Sequence, residues 1–182
     1  MKKGPWRGGT LALCAALGVA LCACSTTVDV YADQKPALAL EQFFEGKLTA
    51  KGAVYDGSGN VLRRFTADIV GTWQGDRGRL DEVFLWSDGE RQLRTWELTK
   101  SGANAFQGTA TDVVGTAVGR GAGNAFNWKY KLRIDTGHSQ IDVRMDDWMY
   151  LIDERTLLNR TAMSFFGFGV GEVVLVIEKV GP

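Results

Sequence analysis

The sequence predicts an all-β fold: an antiparallel up-and-down barrel with one short N-terminal helix. Many segments alternate apolar and polar residues, which is typical of strands with one buried face. Turn motifs containing Asp and Gly separate these segments at intervals of roughly 8 to 14 residues, a spacing typical of all-β domains. Long helical patterns do not interrupt them, so consecutive strands are expected to pair. An open sandwich is the second architecture that fits this pattern.

The helix and strands follow in order along the chain. Pro36 suits the first turn of a helix predicted over 37–45. Strands are expected at 46–55, 61–73, 79–86, 90–99, 104–111, 125–134, 139–151, 155–165 and 172–179. The Asp-Gly pair at 88–89 lies between two of them and indicates a hairpin. Closure into a barrel of the lipocalin kind would leave no unpaired strand edge.

Three segments illustrate how clear the pattern is. The strand from residue 126 alternates regularly, with one apolar face made by Phe126, Trp128, Tyr130, Leu132 and Ile134. The segment 173–177 is apolar on both faces, so we expect the helix or the barrel closure to cover it. The glycine-rich segment 115–124 is expected to form either a flexible loop at the barrel mouth or a distorted strand that lets backbones approach.

The N-terminus has the pattern of a bacterial lipoprotein signal. Basic residues precede an apolar stretch over 10–21, which is too short for a membrane-spanning helix of about 20 residues. This stretch ends in Leu21-Cys22-Ala23-Cys24, which resembles a signal in which the Cys24 sulfur receives a diacylglyceryl group. An ordinary signal peptide, or cleavage before Cys22, is the alternative. We therefore predict a lipoprotein signal peptide at 1–23, a lipidated tether at 24–36 and a single β-barrel domain at 37–182.

A lipidated Cys24 would determine where the protein resides. Two or more acyl chains give stable membrane anchoring, whereas one chain does not. Ser25 directly after the anchor resembles lipoproteins that are sorted to the outer membrane. We therefore expect a location in the bacterial cell envelope, with the protein anchored to the outer membrane by its N-terminal lipid and facing the periplasm.

Charge and composition exclude several classes of function. The formal net charge is zero, but residues 1–23 hold three basic residues and no acid. Residues 24–182 therefore include 18 basic and 21 acidic residues. This segment lacks the basic surplus that is typical of a nucleic-acid-binding protein. Cys24 is the only Cys in this part and His138 the only His, which excludes a disulfide scaffold and a Cys/His zinc site. We predict no metal, no cofactor and no catalytic residue, and rank binding above catalysis.

Several segments after Tyr31 share a family pattern. They include YADQKPALALEQFFEGKLTAKG (31–52), LDEVFLWSDGERQLRTWEL (80–98), DVVGTAVGRGAGNAFNWKY (112–130) and DDWMYLIDERTLLNR (146–160). They resemble the bacterial lipoprotein family labelled domain of unknown function 3833. The resemblance implies a Gram-negative, membrane-anchored, lipocalin-like protein, whose relatives are often encoded beside enzymes that modify membrane fatty acids. One departure is Phe165, which stands where the family pattern leads us to expect a basic residue.

Charges on faces that should be apolar identify candidate contacts for a ligand. Asp147 falls on the apolar face of the strand 139–151, and Glu82 shares its face with apolar neighbours. An unpaired buried carboxylate is costly, so Asp147 is expected to be protonated or to have a partner. Candidate partners are Arg63, Arg94 and Arg160. A structural ion pair or a hydrogen bond at the barrel rim is the alternative role for Asp147.

The position opposite Glu82 depends on the hairpin near residues 87–90. A two-residue turn places Glu82 opposite Thr95, whereas one more loop residue places it opposite Arg94. The tryptophans either line a cavity or fill the barrel interior. The predicted ligand-binding residues are Asp147, Arg94, Glu82, Trp96, Trp128 and Arg160.

Three functions fit this sequence. The first is a membrane-anchored lipoprotein that binds or carries a lipid, a fatty acid or another apolar ligand. The second is a structural or interaction lipoprotein that assists an envelope or fatty-acid-modifying system, which predicts a filled barrel and an exposed apolar patch. The third is an enzyme acting on lipid through Asp147 or Glu82, which requires one of them in a cleft with a raised pKa.

Overall fold

The fold is a closed, antiparallel up-and-down barrel of ten strands, as the computed structural model of residues 26–181 shows. Each strand pairs with its neighbours in sequence, and the last strand pairs with the first. The strands are β1 (Gly46–Asp56), β2 (Val61–Gln74), β3 (Arg77–Trp86), β4 (Arg91–Gly102), β5 (Ala105–Ala110), β6 (Ala117–Ala122), β7 (Ala125–Asp135), β8 (Gln140–Leu151), β9 (Thr156–Phe165) and β10 (Phe168–Lys179). The predicted fold class is confirmed. The predicted signal peptide and Cys24 lie outside the described residues.

Little helix precedes the barrel. A 3-10 turn spans Val28–Tyr31, and α1 spans Leu40–Phe43, so the helix predicted over 37–45 is shorter than expected. No helix within residues 26–181 is long and apolar enough to cross a membrane.

The segment predicted as a tether is partly packed on the barrel. Val28 is buried, and the Tyr31 ring packs edge-on against Trp148 and Tyr150 with ring centroids 6.0 and 5.4 Å away. Trp148 and Tyr150 lie on the outer face of β8, where they would expose large apolar surfaces without this cover. Val28 and Tyr31, which lie within the segment predicted as a tether over 24–36, are therefore packed against the barrel.

The barrel has a closed floor and a mouth. α1 lies at the end where β1 begins, and Leu40 and Phe44 reach the interior there. The Lys179 ammonium holds this helix by donating to the carbonyl oxygens of Gln42, Phe43 and Glu45 at 3.0, 2.8 and 3.1 Å. Carbonyls at a helix C-terminus lack partners within the helix, so a cation satisfies them. The opposite end, where the β1–β2 and β3–β4 turns meet, is the mouth.

The strand that the sequence analysis did not count is β6, in the glycine-rich segment 115–124. A Cβ at Gly119 would lie 2.0 Å from a Trp128 ring atom and 2.5 Å from a Phe126 ring atom. Glycine therefore lets both rings lie directly over the β6 backbone. The distorted-strand alternative is correct, and the flexible-loop alternative is wrong for β6.

The last strand closes the barrel without being covered on its outer face. Val173, Leu175 and Ile177 of β10 face the interior. The neighbouring Val176 is 37% exposed. The expectation that helix or closure would cover both faces is therefore wrong for the outer face.

Candidate functional site

The barrel interior is hollow. A cavity of about 670 Å³ runs from α1 towards the mouth, and this volume falls within the range of about 300–1,000 Å³ for small-molecule sites. The tryptophans were expected either to line such a cavity or to fill it. Trp86, Trp96 and Trp128 line it, whereas Trp148 lies outside under Tyr31.

One half of the cavity wall is apolar. β1, β2 and β10 contribute Ala50, Val54, Phe65, Ile69, Val173, Leu175 and Ile177. The floor is also apolar and is made by Leu40, Phe44, Leu80, Leu98 and Phe126. Binding of a ligand against these surfaces is driven mainly by burial of the ligand's own apolar surface.

The other half carries a group of polar side chains that we call the polar belt. Its members are Glu82, Arg94, Asp112, Tyr130, Asp147, Asn159 and Thr161, and all of them line the cavity. They come from β3, β4, the β5–β6 connection, β7, β8 and β9. The belt places titratable groups inside an otherwise apolar space.

Arg94 is the positive centre of the belt. Its Nε donates to the Asp112 carboxylate at 2.9 Å and its Nη2 donates to the same group at 2.6 Å. Glu82 lies directly opposite Arg94 in the β3–β4 register, and their charged atoms are 3.9 Å apart. The register follows from a three-residue loop at 87–89, in which Gly89 has a φ of +88°. The alternative with Arg94 opposite Glu82 is therefore the correct one.

Asp147 is buried, with 6% of its surface exposed, as expected from its apolar neighbours. Its partner is the Asn159 side-chain amide, which donates to the Asp147 carboxylate across the β8–β9 pair. The predicted arginine partners, Arg63, Arg94 and Arg160, are not the groups that bind this carboxylate. Leu residues occur on both faces of β9, so the sequence pattern did not reveal that Asn159 and Thr161 face inwards.

Burial raises the pKa of two carboxyls of the belt. It raises the pKa of Asp147 to about 7, against the lowering effect of the Asn159 amide and nearby hydroxyls. Burial likewise raises the pKa of Glu82 to about 7, although Arg94 opposes the shift. Both groups therefore exchange protons near neutral pH, as acid–base catalysis by Asp147 or Glu82 would require. Burial and the Asp147 charge raise the pKa of Tyr130, whose hydroxyl stays protonated.

Two predicted arginines lie elsewhere. Arg160 points away from the cavity, its side chain is 66% exposed, and its Nε donates to Glu172 at 2.7 Å. The structure thus does not bring this predicted ligand-binding residue to the site. Arg63 lies at the mouth, pairs with Asp88 and Glu90 at 2.7 and 2.8 Å, and covers the Trp86 ring.

The mouth also exposes apolar side chains. Leu62 lines the cavity and is 60% exposed. The β9–β10 turn carries Phe166 and Phe168, which are 85% and 76% exposed. Phe166 has a φ of +48°, a backbone conformation that aromatic residues rarely adopt.

Four members of the belt were not predicted from the sequence: Asp112, Tyr130, Asn159 and Thr161. Asp112 could have been found, because it begins the family segment DVVGTA and follows a predicted strand. Its role depends on the β5–β6 connection pairing with β7, where Arg133 donates its backbone N–H to the Asp112 carbonyl at 2.7 Å. Within residues 26–181, no group of three or more His, Cys, Asp or Glu side chains is arranged to hold a metal ion.

A family model described as a protein of unknown function (DUF3833) matches residues 18–179. The chain belongs to this family. The resemblance noted in the sequence is confirmed, and the match includes every strand of the DUF3833 barrel. A search of curated proteins found no match.

Solved structures share the barrel. The S-type phycobiliprotein lyase CPES from Guillardia theta is similar with a TM-score of 0.58 and 8% identity, over 80% of this chain and 94% of that chain. A redesigned β barrel has a TM-score of 0.43 and 7% identity, over 78% and 95%. A protein bound to DFHBI, EF1p2_mFAP2b, has a TM-score of 0.42 and 7% identity, over 76% and 94%. The first likeness supports a lipocalin-like fold for this DUF3833 chain.

Proposed function

We propose that the protein is a lipoprotein of the bacterial cell envelope that binds a lipid or another apolar ligand inside its barrel. The hollow interior carries this proposal: about 670 Å³ of space is bounded by an apolar wall and an apolar floor. A barrel that served only as a scaffold could fill this space with side chains. A protein named as a phycobiliprotein lyase has the same barrel fold, so this fold is compatible with a role other than that of a scaffold.

A cavity-filling variant tests this proposal. Val173→Trp adds a ring on the inner face, and Val174→Trp adds the same ring on the outer face of the same strand. We expect native mass spectrometry of protein gently extracted from its own membrane to find a bound lipid in the wild type and in Val174→Trp. Loss of this lipid in Val173→Trp, with an unchanged circular dichroism spectrum, would support binding in the cavity. An absence of lipid in the wild type would contradict it.

The anchor is the second part of this proposal. The signal pattern ending at Cys24, with an apolar segment too short to span a membrane, supports N-terminal lipidation and a location at the outer membrane facing the periplasm. Cys24→Ala should move the protein from the membrane fraction to the soluble fraction or leave it as uncleaved precursor. Cys22→Ala is the matched control and should leave the fractionation unchanged. Fully processed, membrane-bound Cys24→Ala protein would contradict lipidation at this residue.

One observation favours the second candidate, an interaction lipoprotein without its own ligand, although the barrel is hollow and not filled as this candidate predicted. The exposed rings of Phe166 and Phe168 lie at a hairpin tip, where solvent exposure of aromatic side chains is costly and contact with a partner would remove it. A photo-crosslinker at Phe166 should then capture one partner in cells. A crosslinker at His138, on another exposed turn, is the control. Failure to capture a partner from Phe166 would leave the cavity as the functional site.

A further inference from the structure

The polar belt has an excess of negative charge. It contains the carboxyls of Glu82, Asp112 and Asp147 but only one guanidinium, that of Arg94. These groups lie inside the barrel, where charges interact more strongly than they do in water. A ligand whose polar end reaches the belt therefore enters a negative environment once the carboxyls are ionised.

Arg94 is already engaged by the protein's own acids. Two of its nitrogens donate to Asp112, and a third faces Glu82 at 3.9 Å. Two other arginines line the cavity in the described part of the chain, but both lie towards the mouth. Arg63 pairs with Asp88 and Glu90 there, and Arg133 pairs with Asp142 at 2.9 Å. An anionic headgroup at the belt would have to displace one of these acids to gain a cation.

The belt instead has acceptors that face the cavity. The closest charged contact of Glu82 is 3.9 Å, which is longer than a hydrogen bond, so its oxygens remain able to accept. The Asn159 amide donates to Oδ1 of Asp147, and the Thr161 and Tyr130 hydroxyls also stabilise this carboxylate. An ionised carboxylate offers about four lone-pair sites, so Asp147 can still accept from a ligand in the cavity. These two carboxyls stand on different walls, β3 and β8, around the same space.

We propose that the belt selects apolar ligands whose buried polar end is a cation or a neutral hydrogen-bond donor, such as an amine or a hydroxyl, and rejects the carboxylate of a free fatty acid. This inference rests on the proposed binding function and names its ligand class. It narrows the ligands expected from the sequence, because a fatty acid was among them. The apolar wall receives the hydrocarbon chain, and the belt determines which headgroup can follow it inside.

Three probes with the same chain length test the inference: dodecylamine, 1-dodecanol and laurate. Each is titrated below its aggregation concentration against purified protein that holds the neutral fluorescent dye N-phenyl-1-naphthylamine, at pH 8. We expect the amine and the alcohol to displace the dye at concentrations roughly 30-fold lower than laurate, as like-charge repulsion in a buried site implies. Laurate that displaces the dye as well as the amine and the alcohol do would overturn the inference but leave the binding function standing.

Failure of the function itself has a different result. A dye that does not bind, or that none of the three probes displaces, would overturn the proposed binding function.

A double variant tests whether the belt causes the selectivity. Glu82→Gln with Asp147→Asn should bring laurate to within about 3-fold of the alcohol, since both substitutions keep shape and remove charge. Asp146→Asn is the control, because this neighbouring carboxyl faces outwards beside Lys129 and its loss should keep the wild-type preference. An unchanged preference in the double variant would overturn the assignment to these two groups.

Discussion

Replacing Asp147 with Asn should change how the stability of the protein depends on pH. Burial raises the pKa of Asp147 from 3.8 to about 7 in the folded protein, whereas the unfolded chain keeps the ordinary value. A carboxyl with a raised folded pKa holds its proton more tightly when folded. Its presence therefore lowers the free energy of unfolding progressively as the pH rises from about 4 to about 7, and this loss is complete above the folded pKa.

The magnitude follows from the size of the shift. One pKa unit corresponds to about 1.4 kcal/mol, and the interval from pH 5 to the folded pKa spans about two units. Asn has the same shape, and its side-chain oxygen can still accept from Asn159. Compared with the wild type, Asp147→Asn should therefore gain about 3 kcal/mol of stability between pH 5 and pH 8.

Urea unfolding followed by tryptophan fluorescence measures this difference at both pH values. Asp146→Asn is the control, because the side chain at this position is 46% exposed on the outer face. The Asp146 charge is the smallest of the causes that shift the Asp147 pKa, so this variant should change the pH dependence only slightly. A difference between Asp147→Asn and wild type that changes by less than about 1 kcal/mol from pH 5 to pH 8 would refute the reasoning.

Two further substitutions test the belt and the fold. Arg94→Met leaves the carboxyls facing it uncompensated, so it should cost about 3–5 kcal/mol in urea unfolding, whereas Arg160→Met removes only an exposed pair and should cost less than about 1 kcal/mol. Equal costs would contradict the buried role of Arg94. Gly119→Ala forces a methyl group against two rings and should cost about 1–3 kcal/mol, whereas Gly102→Ala, whose nearest contact is 3.4 Å, should cost less. A thermal melt that ranks them in the opposite order would refute the close approach at β6.

Alternation of apolar and polar residues was enough to predict the barrel. It also placed Glu82, Arg94 and Asp147 on inner faces, because each shares its phase with large apolar neighbours that line the cavity. Where both faces of a strand carry similar residues, alternation does not show which face is buried. In β9 the pattern favoured the face of Arg160 as the inner one, although the face that carries Asn159 lines the cavity.

Other features depend on contacts that a linear pattern does not contain. Glycine has no preference for a buried or an exposed face, so the sequence left a loop and a distorted strand as alternatives for β6, and the rings that lie over Gly119 distinguish them. The pairing of Glu82 with Arg94 depends on one residue of loop length. Asp112 reaches the belt because its connection pairs with β7 beyond the end of β6. Each of these is a long-range effect of barrel closure.

The packing of Tyr31 and Val28 against the barrel wall has a consequence for encounter with lipid. With an anchor at Cys24, as proposed, only residues 25–27 separate the acylated residue from a buried one. Four extended steps span at most about 14 Å, so the wall of the barrel would stay within that distance of the bilayer surface. Such a short tether would hold the barrel beside the bilayer, where the effective concentration of lipid is high.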